Sequence, residues 1–206
     1  KIKKRIFMTA TERLFKRHKE DFLSMDNEKA YGKTIYQMSF KEAINTKPQI
    51  ICDYKIITFE IKKKDIENIN KNNDFLDIRN KLGIDVSARE FATSISLRKA
   101  IKKLNISKIL TFHRSIKRAK DFKKQQEYIS ELFKQYTKLE SFHINGTMTS
   151  NERYSIMNSF EKSNASMITN ARCLTEGVDM PAVDCVVFTD PKKSIIDIVQ
   201  AAGRSL

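Results

Sequence analysis

The chain has 206 residues, of which 40% are hydrophobic, and its formal net charge is +14 at pH 7. This length and apolar content predict one good-sized folded domain with an appended segment, and they exclude a disordered chain. No apolar run is long enough to span a membrane, and the basic first residues lead into a strand-like segment rather than a signal peptide. The three cysteines form no C-x-x-C pair, which indicates reduced thiols in a cytoplasmic protein. The three histidines lie far apart, so no metal site is predicted.

The positive charge is concentrated in the middle of the chain. Residues 98–138 contain 13 Lys+Arg and 3 Asp+Glu, a net charge of +10, whereas residues 161–206 contain 5 and 6, a net charge of −1. A localised basic surface favours a polyanionic partner such as nucleic acid. The alternative is that these charges only solvate helix faces, which is the usual role of a charge run.

The first part of the chain has weak structural signals. Residues 4–11 predict a short strand, and residues 13–35 predict a linker with little local structure. Residues 39–42 have the Ser-x-x-Glu pattern of a capping box, which predicts a short helix after Ser39. Residues 53–61 alternate in the way that predicts another strand. The polar, Asn-rich and Lys-rich residues 62–80 are interpreted as an insertion.

From residue 87 onward the pattern alternates between helices and strands. Two further capping boxes, Ser87–Glu90 and Thr149–Glu152, mark helix starts. The predicted elements are a helix at 87–104, a strand at 108–112, a helix from 116 with apolar spacing up to 136, a strand at 140–144, a helix from 149, strands at 165–170 and 183–188, and a helix from 194. This alternation predicts an α/β fold, a parallel sheet with helices on both faces.

The last stretch, residues 171–206, carries the most specific signal. Gly177, within an E-G-V-D-x-P segment, permits a tight turn or the close approach of a ligand. Gln200 and Arg204 lie four residues apart and project from one helix face. A loop acid, Asp179, and a helix arginine near the ends of one buried strand predict half of a site for a phosphorylated ligand.

These motifs carry a family resemblance. E-G-V-D-x-P before a buried strand and Q-x-x-G-R after it resemble motifs V and VI of superfamily 2 helicases and translocases, most of all the branch of restriction-enzyme motors and DNA-repair helicases. K-I-L-T-F-H-R-S at 108–115 resembles motif IV, and T-A-T at 9–11 resembles motif III. The resemblance implies a fragment that starts at motif III and ends inside motif VI. Residues 1–50 would hold the last strand of an N-terminal lobe plus the inter-lobe connection, and 51–206 would form the C-terminal RecA-like lobe.

The resemblance also implies roles for individual residues. The chain has no G-x-x-x-x-G-K-[ST] loop, so ATP and Mg²⁺ would be held mainly by the missing N-terminal lobe. Arg204 would act as an arginine finger with Gln200 beside it, and the family's second arginine would fall beyond Leu206. The other residues implied for ATP binding are Gly177, Asp179 and Gly203. The residues implied for nucleic-acid binding are His113, Arg114, Ser115, Gly146, Asn170, Ala171 and Arg172, and those implied for coupling between lobes are Thr9 and Thr11.

The resemblance therefore implies the C-terminal lobe of an ATP-dependent helicase or translocase, with DNA favoured over RNA as its partner and no ATPase activity of its own. Three alternatives remain open at this point. The chain could belong to a restriction–modification motor that pumps duplex DNA, it could be a non-catalytic nucleic-acid-binding module, or its basic face could dock an acidic protein. The residues alone do not distinguish DNA from RNA, or unwinding from translocation.

Overall fold

The computed structural model describes residues 5–9, 12, 14, 23–58, 60, 62–64, 67, 80, 81, 83, 86–171, 183–190 and 195–203. The described residues fall into two compact units, one within 1–55 and 194–204 and the other within 56–193. The predicted domain boundary at residue 50 stays a prediction.

In the first unit the described helices are α1 (Glu28–Tyr31), α2 (Phe40–Asn45) and α6 (Ile195–Ala202). Helix α6 begins one residue after its predicted start. Strands were predicted at 4–11 and 53–61, but the described residues 5–9, 53–58 and 60 form no strand. A strand needs a neighbour to accept and donate its backbone hydrogen bonds, and no described strand pairs with either segment.

In the second unit, four described strands form one parallel sheet. They are β1 (Lys108–Phe112), β2 (Glu140–Ile144), β3 (Ser166–Asn170) and β4 (Cys185–Phe188), in the spatial order β2-β3-β1-β4. The inner strands β1 and β3 are almost entirely buried, as expected for short apolar runs in a parallel sheet. The predicted parallel sheet of an α/β fold is confirmed.

The register brings all four strand ends to one edge. Phe112 pairs with Asn170 on one side and with Phe188 on the other, and Asn170 also pairs with Ile144. The loops that follow the strands therefore leave from the same side of the sheet. We refer to this side as the carboxyl edge and to the opposite side as the amino edge.

Helices cover both faces of the sheet. Helices α3 (Ala88–Leu104) and α4 (Ile116–Leu132) share a core with Ile109 on one face. Helix α5 (Ser150–Lys162) lies on the other face, where Lys108 reaches its last turn. Neighbouring residues of a strand point to opposite faces, so Ile109 faces the layer of α3 and α4 and Lys108 faces the layer of α5. No helix in the described ranges is long and apolar enough to cross a membrane.

Helix α4 ends at Leu132, earlier than its apolar spacing predicted. Phe133 and Tyr136 continue the periodic pattern but lie after the helix. Both still pack against the cluster formed by Phe91 and Tyr128. The apolar spacing therefore reflects burial, which a packed turn supplies as well as a helix does.

All three predicted capping boxes are present, at Ser39–Glu42, Ser87–Glu90 and Thr149–Glu152. In each, the hydroxyl accepts a hydrogen bond from the backbone N–H of the glutamate, and the carboxylate accepts one from the backbone N–H of the capping residue. Hydrogen bonds from Ser39 and Thr149 lower the pKa of Glu42 and Glu152, respectively. The bond from the backbone N–H has the larger effect and the bond from the hydroxyl the smaller one. The helix starts are thus set by local sequence.

Charged groups at the amino edge hold the sheet together. The Asp184 carboxylate accepts hydrogen bonds from the backbone N–H of Ser107 at 2.9 Å, from its hydroxyl at 2.6 Å and from the N–H of Lys108 at 2.8 Å. Burial acts to raise the pKa of Asp184, but these bonds outweigh it and lower the pKa. The Lys108 ammonium in turn donates to the carbonyls of Phe160 and Ser163, which caps the carboxyl end of α5.

Arg98 is a buried arginine between α3 and α4, only 1% exposed. Its guanidinium donates to Gln126 Oε1 at 2.7 Å, to Ser130 Oγ at 2.7 Å and to the Thr137 carbonyl at 2.9 Å. Burial lowers the pKa of Arg98 to about 10, so the side chain stays charged at neutral pH. Arg98 therefore serves the packing of α3 on α4 and does not face a ligand.

Candidate nucleic-acid interface

The carboxyl edge gathers six of the seven residues predicted to contact nucleic acid. Strand β1 is followed directly by His113, Arg114 and Ser115, and Asn170 ends β3, with Ala171 next. Gly146 lies in the turn after β2. Arg172 lies outside the described residues. A parallel sheet places ligands outside the carboxyl ends of its strands, so this edge is the candidate site.

His113 is the buried centre of the edge, only 2% exposed. Its Nε2 lies 2.8 Å from Thr111 Oγ1, and its Nδ1 lies 2.9 Å from Thr189 Oγ1. Its backbone N–H donates to the Asn170 carbonyl at 2.9 Å. With both ring nitrogens engaged inside the protein, His113 links β1 to β3 and to the residue after β4. This geometry favours a positioning role over direct contact with a phosphate.

Arg114 is the exposed cation of the edge, with 62% of its side chain accessible. Its backbone N–H donates to Asp190 Oδ2 at 3.0 Å, and its Nε lies 3.9 Å from Asp190 Oδ1. The Ser115 hydroxyl caps α4 by accepting from the Arg118 N–H at 3.2 Å. The sequence interpretation missed Asp190, although an acid directly after a buried strand is a signal for this edge.

Asn170 is fully buried at the end of β3. Its Nδ2 donates to the Thr111 carbonyl at 2.9 Å, which ties β3 to β1. Its Oδ1 has no hydrogen-bond partner among the described residues. A buried acceptor without a partner costs about 1–3 kcal/mol, and this one lies where the chain leaves the sheet toward residues 172–182, outside the described ranges.

The turn that carries Gly146 is held by hydrogen bonds of Asn145. Its Oδ1 accepts from the Thr147 N–H at 2.9 Å and from the Thr147 hydroxyl at 2.6 Å. Its Nδ2 lies 3.3 Å from His143 Nε2. The turn backbone is therefore fixed next to the start of α5.

The hydrogen bonds around His143 define its protonation state. The Thr169 hydroxyl donates to the Phe142 carbonyl at 3.3 Å, so it accepts from His143 Nδ1, 3.0 Å away. Nε2 then accepts from the Asn145 amide, which makes the imidazole neutral. Burial lowers the pKa of His143 first, and the charge of Lys120 lowers it further. Helix α4, which carries Lys120, packs against β2.

A small cavity of about 50 Å³ lies beside the edge, between α3, α4 and the end of β4. Its charged lining residues are Glu90, Arg118, Asp121 and Asp190, and Glu90 and Arg118 form an ion pair. Nucleotide-sized ligands need several hundred Å³. The cavity is therefore too small to be a nucleotide site by itself.

The residues predicted for the nucleotide side are described only in part. Gly177, Asp179 and Arg204 lie outside the described residues, as does Thr11. Gln200 lies in the last turn of α6, where only its backbone is described. The Gly203 N–H donates to the Val199 carbonyl at 2.9 Å, and Thr9 lies in the segment 5–9 without regular structure. Within the described ranges, no three His, Cys, Asp or Glu side chains could hold a metal ion. The roles predicted for these residues stay predictions.

A protein-family model matches the chain. The model of the helicase conserved C-terminal domain matches residues 92–206, which is more than half of the chain. Among curated proteins, IRC3 of Saccharomyces cerevisiae, whose name describes an ATP-dependent helicase, is 36% identical over 55 residues. That match covers 27% of this chain and 8% of the relative.

Several solved structures resemble the chain. Domain 2 of the DEAD-box helicase Mss116p bound to an RNA duplex is 22% identical, with a TM-score of 0.45, over 56% of this chain and 43% of that one. The helicase domain of Pyrococcus furiosus Hef is 24% identical, with a TM-score of 0.43, over 68% and 27%. The C-terminal part of the Fun30 ATPase domain is 17% identical, with a TM-score of 0.46, over 68% and 45%. The chain thus spans less than half the length of each of these three structures.

Proposed function

The chain belongs to the family of helicase conserved C-terminal domains, and we propose that it is the C-terminal RecA-like lobe of an ATP-dependent superfamily 2 helicase or translocase. The observation that carries the proposal is the family match over 92–206, together with the E-G-V-D-x-P and Q-x-x-G-R motifs within it. The assignment to the restriction-motor and repair-helicase branch rests on the motif resemblance alone.

The proposed ATP site is shared with an N-terminal lobe. This chain would contribute Gly177, Asp179, Gln200, Gly203 and Arg204, and the partner lobe would hold most of the triphosphate and its Mg²⁺. ATP hydrolysis supplies the free energy for movement. The planar guanidinium of Arg204 suits the charge that spreads over phosphate oxygens as the reaction proceeds. The motif spacing supports this half of the proposal.

The proposed nucleic-acid site is the carboxyl edge. The exposed guanidinium of Arg114, the N-terminal end of α4 and the fixed turn at Gly146 line this edge with groups that bind phosphates. His113 and Asn170 hold the strand ends beneath them. Contacts of this kind fix position without reading bases, which fits a motor that must advance along any sequence.

The test is ATP hydrolysis by the chain joined to its N-terminal lobe, with and without single- and double-stranded DNA and RNA. We expect one nucleic acid to stimulate turnover strongly and Arg204→Ala to reduce it on the order of 10³-fold. Lys103→Ala, on the exposed surface of α3, is the matched control and should retain activity. The 206-residue chain alone should hydrolyse no ATP.

The alternative is a non-catalytic nucleic-acid-binding module, which the basic surface equally supports and which predicts that the sequence upstream of this chain has no phosphate loop. Tight, salt-sensitive binding without hydrolysis under any condition would favour this module over a motor. Stimulation by duplex DNA alone, without strand separation, would instead identify a restriction-type pump.

A further inference from the structure

Three lysines form a stripe on the outward face of α4. Lys117, Lys120 and Lys124 are all exposed and lie at positions i, i+3 and i+7, which share one face of a helix. The opposite face carries the buried side chains of Ala119 and Phe122, which pack toward the sheet. We refer to these three residues as the lysine stripe, and it extends about 10 Å along the helix.

Internal ion pairs do not account for the lysine stripe. The neighbouring cations Lys123 and Arg118 pair with Glu127 and Glu90, respectively. The stripe residues form no ion pair with any residue in the described ranges. Their charge is therefore available to an external anion.

The first lysine of the stripe, Lys117, is also electrostatically unfavourable for the helix itself. The first turn of α4 contains no acidic residue, whereas α3 and α5 place Glu90 and Glu152 there. A positive charge at the N-terminal end of a helix opposes the helix dipole. The helix dipole consequently does not explain why a lysine occupies position 117 in the first turn of α4.

The stripe is continuous with the carboxyl edge. Helix α4 begins after Ser115, so the stripe starts beside the exposed Arg114. Helix α4, which carries Lys120 at the middle of the stripe, packs against β2 and β3, and the charge of Lys120 acts to lower the pKa of His143 on β2. The positive surface thus runs from the end of β1 over the side of the domain that carries β2.

We propose that the lysine stripe is an extension of the nucleic-acid site, which binds the phosphate backbone of a strand after it has crossed the carboxyl edge. This inference rests on the proposed function of that edge. Lysine ammonium groups contact phosphates as point charges, so binding along the stripe is independent of sequence. The strand reaches the stripe only when it is long enough to pass Arg114.

The experiment measures binding of the 206-residue chain to fluorescent single strands of about 8 and about 25 nucleotides, which lie within and beyond the size of a typical single-domain site. The stripe variant carries Lys117→Gln, Lys120→Gln and Lys124→Gln. We expect it to bind the long strand at least several-fold more weakly. The slope of log affinity against log salt concentration should be smaller in magnitude by about 2. Its affinity for the short strand should equal that of the wild type.

The matched control removes three exposed lysines elsewhere, with Lys99→Gln, Lys103→Gln and Lys134→Gln. It has the same net charge as the stripe variant and should bind the long strand like the wild type. Replacing the stripe lysines with arginine should preserve binding. Equal weakening by the stripe and control variants would mean that only net charge matters, and it would overturn the inference.

The outcomes separate this inference from the proposed function. Normal long-strand binding by the stripe variant, with short-strand binding intact, would refute the proposed role of the lysine stripe. The proposed nucleic-acid site at the carboxyl edge would then be unaffected. A wild-type chain that binds neither strand would refute both. Stripe-dependent binding of polyglutamate without binding of the long strand would replace the inference with docking of an acidic protein.

Discussion

At the scale of single residues, His143 couples the fold to pH. Its pKa lies below the ordinary value of 6.5, so the unfolded chain binds a proton more readily than the folded one. The stability that His143 contributes is therefore complete above pH 6.5 and is lost as the pH falls through its lowered pKa. We expect urea unfolding to give a smaller free energy of unfolding at about pH 5.5 than at about pH 7.5, and this difference to shrink in His143→Gln.

The pKa of His143 also depends on the positive charge of α4. Lys120→Gln should raise the pKa of His143 in an NMR titration, because one nearby positive charge is removed. The rise should be partial, since burial is the larger cause. Lys99→Gln, on α3, is the control and should leave the titration unchanged. An unchanged midpoint in Lys120→Gln would show that the charge of Lys120 does not contribute to the lowered pKa of His143.

Arg98 gives a second prediction at this scale. Arg98→Ala removes the donor to Gln126 Oε1 and to the Thr137 carbonyl and opens a cavity between two helices. We expect the free energy of unfolding to fall by about 2–4 kcal/mol in a denaturant titration. Lys99 is the next residue and is exposed. Lys99→Ala should therefore change the free energy of unfolding by less than about 0.5 kcal/mol. A similar small effect for Arg98→Ala would mean that the cost of burying the charge cancels its hydrogen bonds.

At the scale of elements, Lys108 acts on a helix that is distant from it in sequence. Its ammonium caps the last carbonyls of α5 and lies over the Phe160 ring. Lys108→Met keeps the aliphatic stem but removes the cap, so we expect a loss of about 1–2 kcal/mol in stability. Amide exchange should increase at the carboxyl end of α5 and not at its start. Lys103→Met, exposed on α3, is the control.

Elements that depend on nearby residues were predictable, and those that depend on distant partners were not. The three capping boxes need only residues three positions apart, and all three form. The strand predicted at 53–61 has the right alternation, but alternation does not supply a neighbouring strand. The bond between Ser107 and Asp184 joins residues 77 positions apart, which no local pattern reveals.

The same contrast holds for the candidate site. The order of strands and helices was enough to predict that the residues after β1, β2 and β3 meet at one edge, because parallel strands end together. Burial of His113 was not predictable, since it depends on Thr189, which lies 76 positions away. Sequence thus indicates which segments reach the site, and packing decides which side chains face outward.

At the scale of the whole molecule, we expect binding of nucleic acid to depend on the balance of charge at the carboxyl edge. Arg114 is its exposed cation, and Asp190 lies 3.9 Å from the guanidinium. Arg114→Gln should weaken binding of a short single strand and reduce the salt slope by about 0.7. Asp190→Asn should strengthen binding, because it removes a negative charge that competes with phosphate for Arg114. Fluorescence anisotropy across a salt series measures both.

Because Arg114→Gln and Asp190→Asn should change affinity in opposite directions, the two variants together test whether phosphate binds at the carboxyl edge. The amide oxygen that Asp190→Asn introduces can still accept from the Arg114 backbone N–H, so the turn should be retained. If the two residues served only to hold the turn, both variants would lower thermal stability and affinity together. Lys103→Gln, which removes one positive charge from an exposed position on α3, is the control for net charge and should change affinity less than Arg114→Gln. Opposite changes in affinity at equal stability are expected if phosphate binds the edge at Arg114. The electrostatic field there would then control how strongly this lobe holds its strand.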